Sequence, residues 1–234
     1  MEQNYRFTFQ TNQFFGEVQP CTPSVFNQTI DSEDVARKIN TRRAVDDAIR
    51  EGNFDKWLAD YYFKQFCKRQ EAKQGEKFTE LQPVQKLLQW TNSLKQSQPC
   101  FIFAVKAFEG LRRKQAEISL LSGLFMFDAD HLPFDPYEVY RRTLVADFPW
   151  KVRFAHKTSS GHGTRLVCEW RIELGNIADC QIQLARDLGF MGVKGTTGKP
   201  VVDDSCIDCT RISYAPQRQD IYFIDENNLF NFNI

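Results

Sequence analysis

The chain has 234 residues, of which 42% are hydrophobic and 14% aromatic, and it carries 30 basic and 30 acidic side chains. This length and the 21 phenylalanines exclude a disordered chain and allow one large domain or two small ones. Zero formal net charge excludes a general electrostatic footprint for nucleic acid, and a mean hydropathy of −0.47 without a long apolar run excludes a membrane span. With no secretory leader and seven cysteines at irregular spacing, we expect a soluble cytoplasmic protein with reduced thiols.

Residues 1–98 are expected to form a mostly helical N-terminal module. Apolar side chains recur every three or four residues from Asp31 to Ile49, and similar spacing predicts helices over 55–73 and 82–95. The first two helices carry basic residues, namely Arg37, Lys38, Arg42, Arg43, Lys64, Lys68 and Arg69. Such residues are most often solvated, but they also suit contacts with a nucleic-acid backbone.

Residues 99–234 are expected to form an α+β core. Its predicted strands cover 99–107, 120–128, 152–157, 164–171, 209–215 and 220–224, and its predicted helices cover 134–147 and 177–189. From residue 120 onward the order is strand, helix, strand, strand, helix, strand, which is typical of the split βαβ, ferredoxin-like or RRM-like, fold. In its usual sheet order the strand 120–128 is central, between 164–171 and 209–215.

Two carboxylates, Asp128 and Asp130, end the buried strand 120–128. Alternation along a strand puts both on one side, about 6–7 Å apart. Acids placed in this way favour a cation between them, and hard oxygen ligands suit Mg²⁺ or Mn²⁺. The same pair could instead cap or turn the chain before the helix that follows Pro133, so this motif alone leaves both interpretations open.

The loop from Lys157 to Arg165 joins two strands and is a candidate anion site. Glycines among hydroxyl side chains can expose backbone N–H groups to an anion, and the basic residues at both ends add charge. The candidate ligands are Lys157, Ser160, Gly161, His162, Gly163 and Arg165. The loop is not a P-loop, and on its own it is more typical of an ordinary hairpin.

Residues 203–211 form a third polar segment before the last strands. Asp203 is a candidate third carboxylate, with the adjacent Asp204 as the alternative, and Arg211 is a candidate phosphate ligand. The competing interpretation is a polar loop with a structural Asp–Arg pair. Cys206 and Cys209 form a CxxC pair, but no second pair has zinc-finger spacing, so they do not predict a zinc site.

Taken together, the three segments favour a site for a metal-bound triphosphate. Neighbouring strands of a split βαβ sheet would bring the carboxylates beside two arginines and a glycine loop. That combination suits a divalent cation and the phosphates it carries.

The order of these motifs resembles that of the archaeo-eukaryotic primase-polymerases. The chain shows DxD at 128–130, SGxGx-basic at 160–165 and D-x-S-x-x-D-x-x-R at 203–211. It is most similar to the primase-like N-terminal domain of virulence-associated-E-type proteins of Bacteroides-like mobile elements. The resemblance covers about 99–225, including Ser122-Gly123-Leu124 before the acidic motif.

The resemblance also implies roles for single residues. The catalytic and metal-binding acids it implies are Asp128, Asp130 and Asp203. The nucleotide-binding residues that accompany them are Lys157, Ser160, Gly161, His162, Gly163, Arg165 and Arg211. The wider family usually has a histidine where this chain has Arg165. An arginine keeps its charge and can hold two phosphate oxygens, so we expect it to bind nucleotide without transferring a proton.

The function implied is that of a Mg²⁺- or Mn²⁺-dependent primase-polymerase in the replication of mobile or phage-like DNA. Its partners would be nucleoside triphosphates and a single-stranded or primed DNA template. The sequence contains no helicase Walker motif, so we expect any helicase on another chain or in a further C-terminal part. Two alternatives stay open. One is a non-catalytic DNA-binding or replication-initiation module with the same fold, and the other is a DxD glycosyltransferase or metallonuclease, which leaves the third motif unexplained.

Overall fold

A computed structural model describes residues 5–14, 16–203 and 207–231 as a mixed α/β fold with antiparallel sheets. The described helices are α1 (Pro23–Ile30), α2 (Glu33–Glu51), α3 (Asp55–Leu58), α4 (Tyr61–Gln74), α5 (Glu76–Thr79), α6 (Pro83–Gln96), α7 (Tyr137–Arg141), α8 (Ile177–Asp187) and α9 (Glu226–Phe230). The described strands are β1 (Thr8–Gln10), β2 (Gln19–Pro20), β3 (Cys100–Ile102), β4 (Val105–Phe108), β5 (Ile118–Leu121), β6 (Leu124–Ala129), β7 (Val152–Lys157), β8 (Thr164–Glu169), β9 (Ser213–Tyr214) and β10 (Ile221–Ile224). Among these helices, none has both the length and the apolar character that a membrane span requires.

Three of the helices before residue 97, α2, α4 and α6, follow the predicted periodicity. α2 and α6 confirm the first and third predicted helices, and α2 ends at Gly52, whose φ of 68° closes the helix with a left-handed residue. The helix predicted over 55–73 is divided into α3 and α4. Asp60 causes the division, because its carboxylate accepts the N–H groups of Tyr62 and Phe63 and so caps α4.

α2, α4 and α6 pack around an apolar cluster of their own. Its buried members are Val45, Phe63, Phe66, Phe78, Leu87 and Trp90. Burial of these side chains fixes the positions of α2 and α6, which are the two helices that approach the candidate site.

One sheet has the strand order β2-β1-β3-β9. β1 lies before the helices and β3 after them, so strands from both sides of residue 98 share this sheet. Phenylalanine rings pack between this sheet and β7 with centroid separations of 4.7–6.2 Å; they are Phe7, Phe26, Phe101, Phe103 and Phe154. The rings join the two main sheets, since the last of them belongs to β7.

β7, β8 and α8 confirm three predicted elements of the core. The strand predicted over 120–128 is divided into β5 and β6 at Ser122 and Gly123, because the glycine has a φ of 72° that no strand residue adopts. The strand predicted over 99–107 is likewise divided into β3 and β4. α7 covers only five residues of the helix predicted over 134–147.

The second main sheet has the order β10-β7-β8-β6, and each neighbouring pair is antiparallel. β6 therefore lies beside β8, as expected. The prediction that residues 209–215 flank its other side is wrong, because β9 pairs with β3 in the first sheet. The predicted ferredoxin-like sheet order is accordingly not confirmed.

Residues 201–203 lie along the other side of β6 instead. The N–H of Asp130 donates to the carbonyl of Val201 at 2.8 Å, and the N–H of Asp203 donates to the carbonyl of Asp128 at 3.0 Å. Residues 201–203 precede residues 209–215 in the chain and already occupy this edge of β6, so residues 209–215 cannot pair there. The backbone of Asp203 is thus paired with the backbone of β6 at Asp128.

Candidate functional site

Asp128 is a buried carboxylate that faces an arginine across the sheet. The register of β6 and β8 places it directly opposite Arg165, whose guanidinium Nη2 donates to Asp128 Oδ2. Arg165 Nη1 also donates to Ser213 Oγ on β9 at 3.1 Å. Asp128 Oδ1 has no hydrogen-bond partner among the described residues. One oxygen of this carboxylate is therefore hydrogen-bonded, and the other is buried without a hydrogen-bond partner among the described residues.

Burial raises the pKa of Asp128 to about 6, although the adjacent Arg165 works in the opposite direction. The negative charges of Asp130 and Asp203 also raise it. Three carboxylates are thus close enough to repel one another, which favours a cation near them.

The other two acids have partners of their own. Asp130 Oδ1 accepts the hydroxyl of Thr158 at 3.3 Å, and Asp203 Oδ2 accepts Arg211 Nη2 at 2.9 Å. Within residues 5–14, 16–203 and 207–231, no group of three His, Cys, Asp or Glu side chains is arranged to hold a metal ion. The acids are neighbours, but they do not form a complete coordination shell. The alternative third acid, Asp204, and Cys206 lie outside the described residues.

The glycine loop lies against Asp130. A side chain at Gly163 would overlap the Asp130 carboxylate and the carbonyl oxygen of Ala129, so only glycine allows this approach. Gly161 has a φ of 82°, and its N–H donates to the carbonyl of Thr158 at 2.9 Å, closing the turn. The structure therefore brings the first and second motifs into contact.

The remaining predicted residues of the loop lie at its rim. Ser160 Oγ is 3.0 Å from Thr158 Oγ1, and the exposed His162 places its Nε2 3.2 Å from Arg50 Nη2. Lys157 ends β7 and is half-buried, and its ammonium has no ion pair among the described residues. All predicted site residues that the structure describes thus belong to one region, at one end of β6.

Two arginines of α2 hold this loop from the helical module. Arg43 forms a bidentate pair with Asp220 at 2.8 and 3.0 Å and also donates to the carbonyl of Thr158 at 2.9 Å. Arg42 Nη1 donates to Ser159 Oγ at 2.7 Å. The sequence identified both arginines only as part of a basic helix face. Their contacts with a loop more than 110 residues away depend on tertiary packing.

His156 is a site residue that the sequence analysis missed. It is opposite Arg165 on β8, and burial, followed by that positive charge, lowers its pKa to about 3. Its Nδ1 donates to the carbonyl of Lys157 at 2.8 Å, and its Nε2 accepts the hydroxyl of Ser213 at 3.4 Å. A neutral imidazole therefore contacts Ser213, the same residue that Arg165 of the Asp128–Arg165 ion pair contacts.

Two cavities share His131 in their lining. One of about 550 Å³ lies between the helical module and the loop, with Arg42, Asp46, Arg50, Asn92 and His162 among its lining residues. The other, of about 690 Å³, includes Asp130 and Asp203 but is lined mostly by apolar residues of α8 and the segment after it. Asp130 and Asp203 therefore line the larger cavity, whereas the buried Asp128 lines neither.

Comparison with known proteins gives one match. A family model described as BT4734-like, N-terminal domain matches residues 93–186, so the chain is similar to that family from the end of α6 to α8. The matched region contains the acid pair and the glycine loop but ends before Asp203. No curated protein and no solved structure matches the chain.

Replacing His156 with glutamine should make the free energy of unfolding less dependent on pH. The native imidazole stays neutral down to about pH 3, whereas the unfolded one takes up a proton below its ordinary pKa of 6.5. Acidification through this window should therefore destabilise the wild type by up to ~1.4 kcal/mol per pH unit. Urea unfolding at pH 4, 5, 6 and 7 measures the slope. The exposed His131, changed to asparagine, is the control and should keep the wild-type slope; equal slopes for all three proteins would contradict the prediction.

Proposed function

We propose that the protein is a metal-dependent nucleotidyltransferase of the primase-polymerase type, acting in the cytoplasm on nucleoside triphosphates and a DNA template of a mobile or phage-like element. The observation that carries this proposal is the meeting of three sequence segments at one end of β6. Asp128 and Asp130 come from the first, the glycine loop at 158–163 from the second, and Asp203 from the third. Unrelated polar loops have no reason to converge in this way.

The fold supports the same proposal through the order of its strands. β8 lies antiparallel between β6 and β7, with residues 201–203 on the far side of β6. We interpret this order as a variant of a split βαβ sheet, in which the fourth strand would be reduced to a few residues and β10 added at the other edge.

The acids suit a divalent cation whose coordination is completed by a substrate. Asp128 and Asp130 would hold Mg²⁺ or Mn²⁺, with Asp203 beside them, and the open Asp128 Oδ1 is the buried oxygen that fits this role. When bound, such a cation stabilises the negative charge of a transferring phosphate and favours loss of a proton from the attacking hydroxyl. Because the described side chains provide no complete shell, phosphate oxygens would supply the remaining ligands.

The loop and the two arginines would hold the phosphates. The backbone N–H of Gly163 would offer a neutral donor, and Arg165 and Arg211 would offer charged ones. Arg165 also fixes the Asp128 carboxylate, so one guanidinium positions an acid and faces the place where phosphates would bind.

A second function, a non-catalytic DNA-binding or replication-initiation module, is favoured by one observation. The cation that neutralises Asp128 in this structure is Arg165, which already occupies one oxygen of the main candidate metal ligand. A protein that had lost catalysis could keep this ion pair to stabilise the sheet.

Incorporation of a labelled nucleotide on primed and unprimed templates with Mn²⁺ separates the two functions. The proposed enzyme should incorporate label, and Asp130→Asn, which removes a proposed ligand while preserving size, should reduce the rate by at least ~100-fold. Asp147→Asn, at an exposed acid outside the site, should match the wild type. A wild type that binds the template but incorporates nothing would instead support the non-catalytic module.

Arg165→Ala should weaken triphosphate binding by about 1.5–3 kcal/mol, the scale of a charge-assisted hydrogen bond, and Arg165→Lys should restore only part of it. The alanine variant should also have a lower melting temperature, since it leaves the buried Asp128 unpaired. Adding Asp128→Asn should raise the melting temperature again while triphosphate affinity, measured in EDTA, stays low. Unchanged affinity with a lowered melting temperature would show that Arg165 is only structural.

The exposed basic face of α4 should contribute salt-dependent affinity for DNA. Lys64→Ala/Lys68→Ala/Arg69→Ala should reduce the slope of log K against log salt by about 2–3, because each lost phosphate contact releases about one counterion fewer. Fluorescence anisotropy with a labelled single strand at several salt concentrations gives the slope. The control is Arg141→Ala/Lys151→Ala/Arg186→Ala, which removes the same charge from exposed positions of the α+β region 99–234. If both triple variants behave alike, the face of α4 is merely solvated.

A further inference from the structure

Lys95, in the last turn of α6, is a half-buried cation beside the candidate site. Its ammonium lies 4.9 Å from the ring centroid of Tyr214 on β9, and it forms no ion pair with a described residue. The neighbouring residue of β9, Ser213, accepts a hydrogen bond from Arg165. The positive charge of Arg165 also acts on this ammonium, so Lys95 and Arg165 lie close together.

A second cation approaches from α2. Arg42 is 17% exposed at its side chain, donates to Ser159 of the glycine loop and lies 3.6 Å from Asp46. It also lines the 550 Å³ cavity. The helical module thus supplies two positive charges that face the loop and the acids.

Arg42 is paired with Asp46 and Arg165 with Asp128, whereas Lys95 has no ion pair among the described residues. Burial lowers the pKa of Lys95, and the positive charges of Arg42 and Arg165 lower it further, while Asp130 and Asp128 only partly compensate. Burial also lowers the pKa of Arg42. Keeping like charges together in a region of low solvent exposure costs free energy, and a bound anion would reduce that cost.

We infer that Lys95 and Arg42 bind the phosphate tail of the nucleoside triphosphate, so that the helical module completes the nucleotide site. The inference rests on the proposed function, because that function supplies the anion. It assigns a binding role to two residues of which one, Arg42, lies outside the region matched by the family model. An anion seated there would lie beside the glycine loop, which Arg42 contacts at Ser159.

Calorimetry with dATP and with tripolyphosphate, both in EDTA, tests the inference without requiring catalysis. Lys95→Met keeps the aliphatic stem over Tyr214 and removes the charge, and Arg42→Gln removes the second charge. Each should weaken binding of both ligands by about 10-fold, as expected for a lost charged contact. Lys86→Met is the matched control, since Lys86 also belongs to α6 and lies 5.3 Å from a ring centroid, that of Phe78. It should bind like the wild type.

The outcomes separate this inference from the proposed function. If the wild type binds dATP and both site variants bind equally well, the inference is wrong while nucleotidyl transfer can still stand. If binding depends on Lys95 and Arg42 but no label is incorporated in the polymerase assay, the inference holds and the enzyme assignment fails. A wild type that binds neither ligand would overturn the inference. Melting temperatures within a few degrees of the wild type verify that each variant is folded.

Discussion

The ion pair between Asp128 and Arg165 is the interaction on which the rest of the site depends. Both groups are nearly removed from solvent, and breaking such a pair by deleting one partner costs about 3–5 kcal/mol. The neutral His156 and the hydroxyl of Ser213 are arranged around the guanidinium, so β7, β8 and β9 are all fixed relative to β6. The carboxylate is thus held in one orientation before any ligand binds, and its second oxygen has no hydrogen-bond partner among the described residues.

A second constraint connects the helical module to the glycine loop beside this ion pair. Arg43 binds Asp220 and a carbonyl of the glycine loop, and Arg42 binds a hydroxyl of that loop. Since α2 is itself fixed by the apolar cluster with α4 and α6, the loop is held from both its own hairpin and the helical module. A loop with so many fixed atoms can present its N–H groups in one orientation, which lowers the entropy cost of binding an anion.

Local patterns predicted the parts of the site that depend on local geometry. Alternation and apolar runs located Asp128 at the end of a buried strand, and the glycines located the loop, because turns and strand ends have local sequence signals. The pairing of Asp128 with Arg165 depends on register, which the sequence does not specify by itself. The position of residues 201–203 beside β6 depends on the path of the chain from α8 back to the sheet. The position of Lys95 near the acids depends on how α6 packs against the rest of the protein. These are long-range constraints with no short sequence pattern.

The arrangement of charges is the reason for proposing one kind of ligand for the whole site. Three carboxylates lie on β6 and the segment beside it, and a divalent cation would neutralise them. The guanidiniums of Arg42 and Arg165 and the ammonium of Lys95 lie around the same point. Asp128 is already paired with Arg165 and Asp203 with Arg211, so a free metal ion or a free phosphate would each neutralise only part of the remaining charge. A metal-bound triphosphate carries both signs in one molecule, so its binding would relieve both repulsions at once.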